Sequence, residues 1–228
     1  MQLKKGLAII VAAITLFAGV AGASSAPPAV TAPEALLKLK EGNVRFVTGV
    51  HQHTGDNLAI VKMLTAGQKP YAIVLTCSDS RVAPELLFDT TLGEIFVVRV
   101  AGNVVDPIIL GSIEYAAEHL GTPLVVVLGH EKCGAVKATV EAKGKGQGNI
   151  GSIVQAIQPA LKKTKAAGKV AEKDQAQFVE AVADANIDLV KASLTTKSKV
   201  LKHLVESNKL KIVAAKYHLD DGEVVMME

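Results

Sequence analysis

Apolar positions along the chain fall into two periods. From Pro33 onward, Leu36, Leu37, Leu39, Val44 and Phe46 form a stripe at helical spacing, with Lys38, Lys40, Glu41 and Arg45 facing away. That pattern predicts an amphipathic helix. Thr48-Gly49 and residues 51–57 read as loop. Three short apolar runs rich in β-formers follow: 71–76 (YAIVLT) after Pro70, 95–100 (IFVVRV), and 124–128 (LVVVL) between Pro123 and Gly129. Runs apolar on both faces suit buried parallel strands. Residues 108–120 are helical in period and close at Gly121. Two or three helices fill 150–205, with the Lys/Ala/Gly-rich stretch 162–173 as a solvated connection. Residues 211–217 (KIVAAKY) read as a strand, and Asp220-Asp221-Gly222 as a turn before Val224-Val225. Strands alternating with helices predict an α/β fold. The expected sheet is mainly parallel, of about four strands plus a C-terminal strand, flanked by helices. There is no internal repeat.

The first 23 residues follow a different pattern. Lys4 and Lys5 precede a nearly unbroken apolar stretch over 6–20, and Ala21-Gly22-Ala23 ends it before Ser24 and Ser25. A short basic segment, an apolar run and a small-residue site make a secretory signal peptide. The alternative is a retained anchor, for which the run is short against the roughly 20 residues a span needs. The expected organisation is a signal peptide over 1–23, a Pro/Ala-rich linker over 24–32 and one domain over 33–228. The mature protein is then exported, periplasmic or secreted, with no membrane association after cleavage.

Composition narrows the function classes. At 228 residues, 49% hydrophobic and 21% charged, the chain is neither a small disulfide scaffold nor a disordered segment. The formal net charge is +3. Removing Lys4 and Lys5 leaves about +1, which argues against a nucleic-acid partner.

Chemistry in open α/β sheets collects at the carboxyl ends of strands. The run 71–76 ends in Cys77-Ser78-Asp79-Ser80-Arg81, and the run 124–128 leads into His130-Glu131-Lys132-Cys133-Gly134. In an exported chain two cysteines ordinarily mean one disulfide. That reading accounts for the even count but not for His130 or the charged loop beside Cys77. The other reading is a Cys₂His set of Cys77, His130 and Cys133. Three such ligands suit Zn²⁺ with a fourth position left for water, the pattern of a catalytic site. Asp79 and Arg81 are either a surface ion pair or a working pair. In the second case Arg81 keeps Asp79 ionised and oriented to accept a hydrogen bond from the nucleophile. Released from Arg81, Asp79 could become a fourth metal ligand.

The blocks CSDSR, RVAGN (99–103), IEYAAEHLG (113–121) and LGHEKCGAV (128–136) resemble the β-class carbonic anhydrases. EGNVRFVTG (41–49), GQKP and KIVAAKYHLDDGEV extend the resemblance over most of residues 33–224. The resemblance implies Cys77, His130 and Cys133 as zinc ligands and Asp79–Arg81 as the catalytic dyad. It implies Gln68 as an amide donor to substrate or bicarbonate, Phe96 and Tyr115 as aromatic residues lining the pocket, and Gly134 as a backbone N–H donor. It also implies a homodimer or a tetramer of dimers. The site then lies at the subunit interface, with the Gln, Phe and Tyr positions and the N-terminal helix contributed across it. A subset of the family, with an inhibitory bicarbonate site, carries Trp three residues before the first Cys. Val74 stands there and the chain has no Trp, which implies the open subtype, with Asp79 on the metal only in a closed state.

The expected function is zinc-dependent reversible hydration of carbon dioxide. Because two thiolates offset the metal's charge, the working pKa is expected at or above neutrality. Phe96, Val104 and Tyr115 are the expected apolar wall. The alternatives are hydrolysis of carbonyl sulfide or carbon disulfide on the same fold, a non-catalytic bicarbonate-binding relative, and a disulfide-stapled binding protein. His51 and His53 read as solvated surface; His119, His203 and His218 read as ordinary helix or strand residues. None is marked as a proton shuttle.

Overall fold

The computed structural model describes residues 30–52 and 58–227. The expected signal peptide, most of the expected linker and His53 lie outside the described residues.

Helix α1 spans Ala32–Thr48. Its start is set by a capping box: Thr31 Oγ1 accepts from the Glu34 N–H, and the Glu34 carboxylate accepts from the Thr31 N–H at 2.7 Å. Only part of the expected apolar stripe is used within the chain. Leu39 is buried, whereas Leu37 and Val44 are 55% and 61% exposed. Gly42 lets α1 touch the chain at Phe88, because a Cβ there would lie 1.9 Å from the Phe88 carbonyl oxygen. Asn43 donates to the carbonyls of Leu87 and Gly222 and accepts from the Val224 N–H. One buried amide thus ties α1 to the chain at Leu87 and to the turn at Gly222–Val224.

Five strands form one sheet in the order β2-β1-β3-β4-β5. These are β1 Ala72–Thr76, β2 Ile95–Arg99, β3 Leu124–His130, β4 Lys211–Tyr217 and β5 Val224–Met227. The first four are parallel, and β5 runs antiparallel to β4. Every residue of β1 and β3 is buried, as runs apolar on both faces require. Alternation splits them between two cores. Ile73, Leu75, Val125 and Val127 pack with Ile113, Ile187, Leu194 and Leu201. Val74, Leu124, Val126 and Leu128 pack with Ala35, Leu39 and Phe88.

The remaining helices are α2 Leu58–Leu64, α3 Pro84–Leu87, α4 Pro107–Glu114, α5 Gly134–Glu141, α6 Ile150–Ala167, α7 Gln175–Lys197 and α8 Lys199–Glu206. Helix α4 runs on into a π-helical turn over Tyr115–His119, where a single helix was expected. The connection expected over 162–173 is shorter, because α6 continues to Ala167 and is closed by left-handed Gly168. Its lysines face solvent while Leu161 and Thr164 continue the buried face. Among the described residues, no helix is long and apolar enough to cross a membrane.

Candidate metal centre

Register brings the two sequence blocks together. β1 and β3 are parallel neighbours with Thr76 opposite Leu128, and the Thr76 hydroxyl donates to the Leu128 carbonyl at 2.9 Å. Cys77 and His130 therefore leave the sheet at the same carboxyl edge. Cys133 sits at the start of α5. The ligand atoms of Cys77, His130 and Cys133 lie within 4.8 Å of one another, and all three residues are buried. Both cysteines are free thiols. A third apolar cluster (Val104, Val136, Ile157, Phe178 and Val182) encloses them.

The donor set fits zinc. His130 Nδ1 lies 2.7 Å from the Glu131 carbonyl. A carbonyl only accepts, so Nδ1 carries the proton and Nε2 presents a lone pair. That Nε2 is buried and has no hydrogen-bond partner, a costly arrangement in a protein interior unless a ligand completes it. Two sulfurs and one orphaned imidazole nitrogen are the ligands zinc takes, and the Nδ1 bond is the usual orienting contact behind such a histidine.

The thiols polarise each other. Cys133 and the Gly102 and Asp79 N–H groups face the Cys77 sulfur and hold its thiol well below the ordinary range despite its burial. The Gly102 N–H reaches the Cys77 Sγ at 3.3 Å. Cys133, facing that sulfur and buried, is pushed far above the ordinary thiol range. Two adjacent thiolates repel, so a divalent cation is what allows both to ionise.

Asp79 and Arg81 form a fork at the mouth of the cluster. Asp79 Oδ1 accepts from the Arg81 Nε at 2.9 Å and from its backbone N–H at 3.0 Å, and Oδ2 accepts from the Arg81 Nη2 at 2.7 Å. These bonds hold the Asp79 carboxyl well below the usual carboxylate range. Asp79 Oδ2 lies 3.9 Å from His130 Nε2.

Three supporting residues carried no assigned role in the sequence. Arg99, at the end of β2, donates to the carbonyls of Cys77 (3.1 Å) and Asp79 (2.7 Å) and so fixes the first loop. Gly102 has φ +71°, and a Cβ there would lie 2.7 Å from Ile157 Cδ1. Asn186 on α7 donates to the Gly102 carbonyl at 2.9 Å. Arg99 and Gly102 at least fall inside the RVAGN block. Asn186 lies in an ordinary amphipathic helix with nothing local to mark it.

The other expected residues are placed differently. Gly134 adjoins Cys133 as the first residue of α5, and Val104 packs in the cluster with both cysteines. Phe96 is level with Ile73 in the sheet, about 13 Å before Cys77 at ~3.3 Å per residue. Its ring lies 6.4 Å from that of Tyr115, which is 48% exposed. Gln68 is exposed and precedes β1, at the opposite end of the strand from Cys77. Within one chain, Gln68, Phe96 and Tyr115 are not brought to the thiolates. His51 lies 3.5 Å from Asp89, away from the cluster.

Comparison with known proteins agrees with this geometry. The family described as carbonic anhydrase matches residues 72–224. Carbonic anhydrase 2 of Mycobacterium tuberculosis is 41% identical over 202 residues, covering 87% of this chain and 94% of that protein. The carbonic anhydrase of Mycolicibacterium smegmatis is 42% identical over 190 residues, covering 82% and 88%. Among solved structures, a β-carbonic anhydrase of Aspergillus fumigatus superposes with a TM-score of 0.67 at 25% identity, covering 85% of this chain and 89% of that one. A Coccomyxa β-carbonic anhydrase shares the fold at the same TM-score and 24% identity, covering 73% and 75%. With its sequence match running from β1 into β5 and its fold that of the β class, the chain belongs to the carbonic anhydrase family.

Proposed function

We propose that this chain is a zinc enzyme catalysing the reversible hydration of carbon dioxide to bicarbonate and a proton. The observation that carries this is the buried Cys77–His130–Cys133 cluster, with its orphaned Nε2, beside the Asp79–Arg81 fork. Cys77, His130 and Cys133 would hold the metal, which supplies Lewis acidity and brings the pKa of water from about 15.7 toward neutrality. Asp79 stays ionised because Arg81 occupies both of its oxygens. It accepts a hydrogen bond from the attacking water and turns that oxygen's free lone pair toward carbon. Carbon dioxide carries no net charge, so its pocket needs an apolar wall, to which Val104 contributes. The Gly134 N–H, at the N-terminus of α5, is the donor offered to the oxygen on which negative charge develops.

Asp79 belongs to Arg81 rather than to the metal on this reading, which is the open form of the site. Bidentate pairing and the buried Val74 in place of a Trp support it. The pocket is completed across a subunit interface. Gln68, Phe96 and Tyr115 lie away from their own chain's thiolates, and the apolar Leu37 and Val44 of α1 stand exposed. A homodimer, or a tetramer of dimers, places these surfaces against a second site. Residues 1–23 act as a signal peptide and 24–32 as a linker to one domain over 33–228, exported to the periplasm or beyond. The basic, apolar and small-residue order of the first 23 residues supports this, and the mass of the mature chain tests it.

Stopped-flow hydration of carbon dioxide by the zinc-loaded protein is the deciding experiment, with carbonyl sulfide and carbon disulfide as rival substrates. Activity that is lost on chelation and restored by zinc is expected. Full activity after complete removal of zinc would overturn the mechanism.

A further inference from the structure

The backbone between His130 and Cys133 is held in an unusual way. Lys132 has φ +52°, a left-handed conformation that an L side chain keeps only when it is tied down. Both of its polar backbone groups are tied. Its N–H donates to Glu180 Oε1 on α7 at 2.7 Å. Its carbonyl accepts from the Arg81 guanidinium at 3.3 Å, through the same nitrogen that donates to Asp79 Oδ2 at 2.7 Å. The Lys132 ammonium is engaged elsewhere, 2.8 Å from Asp220. Glu180 draws its positive partner from the sheet instead. Glu180 Oε2 is 2.8 Å from Lys216 Nζ, which is also 2.7 Å from Asp184 Oδ1 one turn along α7. Lys216 is level with Gly129 on the neighbouring strand, next to His130. A continuous line of contacts, the Lys216–Glu180 ion pair followed by hydrogen bonds, therefore runs from Lys216 through Glu180 and the Lys132 backbone to Arg81 and Asp79.

We propose that Glu180, anchored by Lys216, is a positioning residue for the Asp79–Arg81 pair, acting through the backbone of Lys132. The reading rests on the proposed function, in which that pair orients the nucleophile. An arginine–carboxylate fork can swing as a unit about the arginine side chain. A third bond from the guanidinium to a fixed carbonyl stops that swing. The carbonyl is fixed only while Lys132 stays left-handed, and Glu180 is what holds it there. Loss of Glu180 lets Lys132 relax, withdraws its carbonyl from Arg81, and frees Asp79 to turn toward His130 Nε2, already 3.9 Å from its carboxylate.

The test compares Glu180→Ala, Glu180→Gln and Lys216→Met in the cobalt-substituted and zinc-loaded full-length protein. Glu180→Ala is expected to bind one metal per chain with an altered visible cobalt spectrum, as Asp79 competes for the metal. Its kcat should fall on the order of tenfold to a hundredfold, with KM little changed. Glu180→Gln, whose amide oxygen still accepts from the Lys132 N–H, should restore most of both. Lys216→Met should shift the spectrum in the same direction by less, and it decides alone if Glu180→Ala does not fold. A wild-type spectrum and kcat in Glu180→Ala, or in Lys216→Met where only that variant folds, would overturn the proposal. So would a Glu180→Gln as impaired as Glu180→Ala. The cobalt spectrum is read without substrate. A wild-type protein that binds cobalt but hydrates no carbon dioxide would refute the proposed function while leaving the positioning role decided by the spectra.

Discussion

Replacing Asn186 with Ala separates the support of Cys77 from the chemistry of the thiolate. Asn186 is 2% exposed, and its Nδ2 donates to the Gly102 carbonyl at 2.9 Å. Truncation leaves that carbonyl unsatisfied in a buried turn, which costs about 1–3 kcal/mol. The space vacated between α7 and the Ala101–Asn103 turn adds about 1 kcal/mol. The expected loss is about 2–4 kcal/mol. Each kcal/mol moves the Tm of a domain this size by about 2–4 °C, so a fall of roughly 5–15 °C follows. The same turn carries the Gly102 N–H that reaches the Cys77 Sγ at 3.3 Å. Loosening a bond to a charged sulfur by about 1.4 kcal/mol weakens metal binding about tenfold. Urea unfolding of the zinc-loaded protein reads the first quantity, and competition with a chromogenic chelator reads the second. Asn186→Asp is the control. It fills the same space but turns a carboxylate on the Gly102 carbonyl, so it should be at least as unstable. Stability within about 0.5 kcal/mol of wild type for Asn186→Ala, or a well-tolerated Asn186→Asp, would show that this bond does not support the site.

Three further outcomes are expected. Cys77→Ser and His130→Ala lose bound zinc, and chelation of the wild type exposes two titratable thiols; finding none would mean a disulfide and no zinc site. Asp79→Asn keeps its zinc but turns an amide N–H₂ toward Arg81, and stopped-flow should show hydration slowed about a hundredfold or more; an unchanged rate would remove Asp79 from the mechanism. Burial, reinforced by Glu94 and only partly offset by Arg45, raises the Tyr71 phenol above its ordinary value. A raised folded pKa means that its contribution is intact below the unfolded value of about 10 and is lost as pH rises through the folded one. Tyr71→Phe should therefore match the wild type at neutral pH and resist alkaline unfolding better above about pH 10; identical alkaline curves would contradict this.

The readable parts of the sequence were those whose signal is local. The strands announced themselves as short apolar runs after Pro70 and Pro123. The cysteines and His130 stood out because each lies within a few residues of a strand end. Strand β3 nevertheless runs through Gly129 and His130, because backbone pairing with Lys216 and Tyr217 continues where the apolar run has stopped. Helix α6 outlasts its apparent break because its lysines lie on the outer face while Leu161 and Thr164 keep the inner one. Asn186 and Glu180 gave no local sign, since their partners at Gly102 and Lys132 are distant in the chain.

By itself the sequence determined which chemistry was available: two thiols, one imidazole and a carboxylate–guanidinium pair placed just beyond buried strands. The even cysteine count fitted a disulfide, while the strand-end placement beside His130 and the resemblance of the two blocks favoured zinc; spacing along a chain alone says nothing about distance between strands. Only the tertiary structure decided that β1 and β3 are neighbours, that Thr76 lies opposite Leu128, and that the Glu131 carbonyl accepts a hydrogen bond from the His130 Nδ1–H. Those facts point Nε2 and both sulfurs at one another. The reason is physical: parallel register is set by hydrogen bonds between segments far apart in sequence, and a histidine's tautomer by whichever acceptor the fold puts beside it.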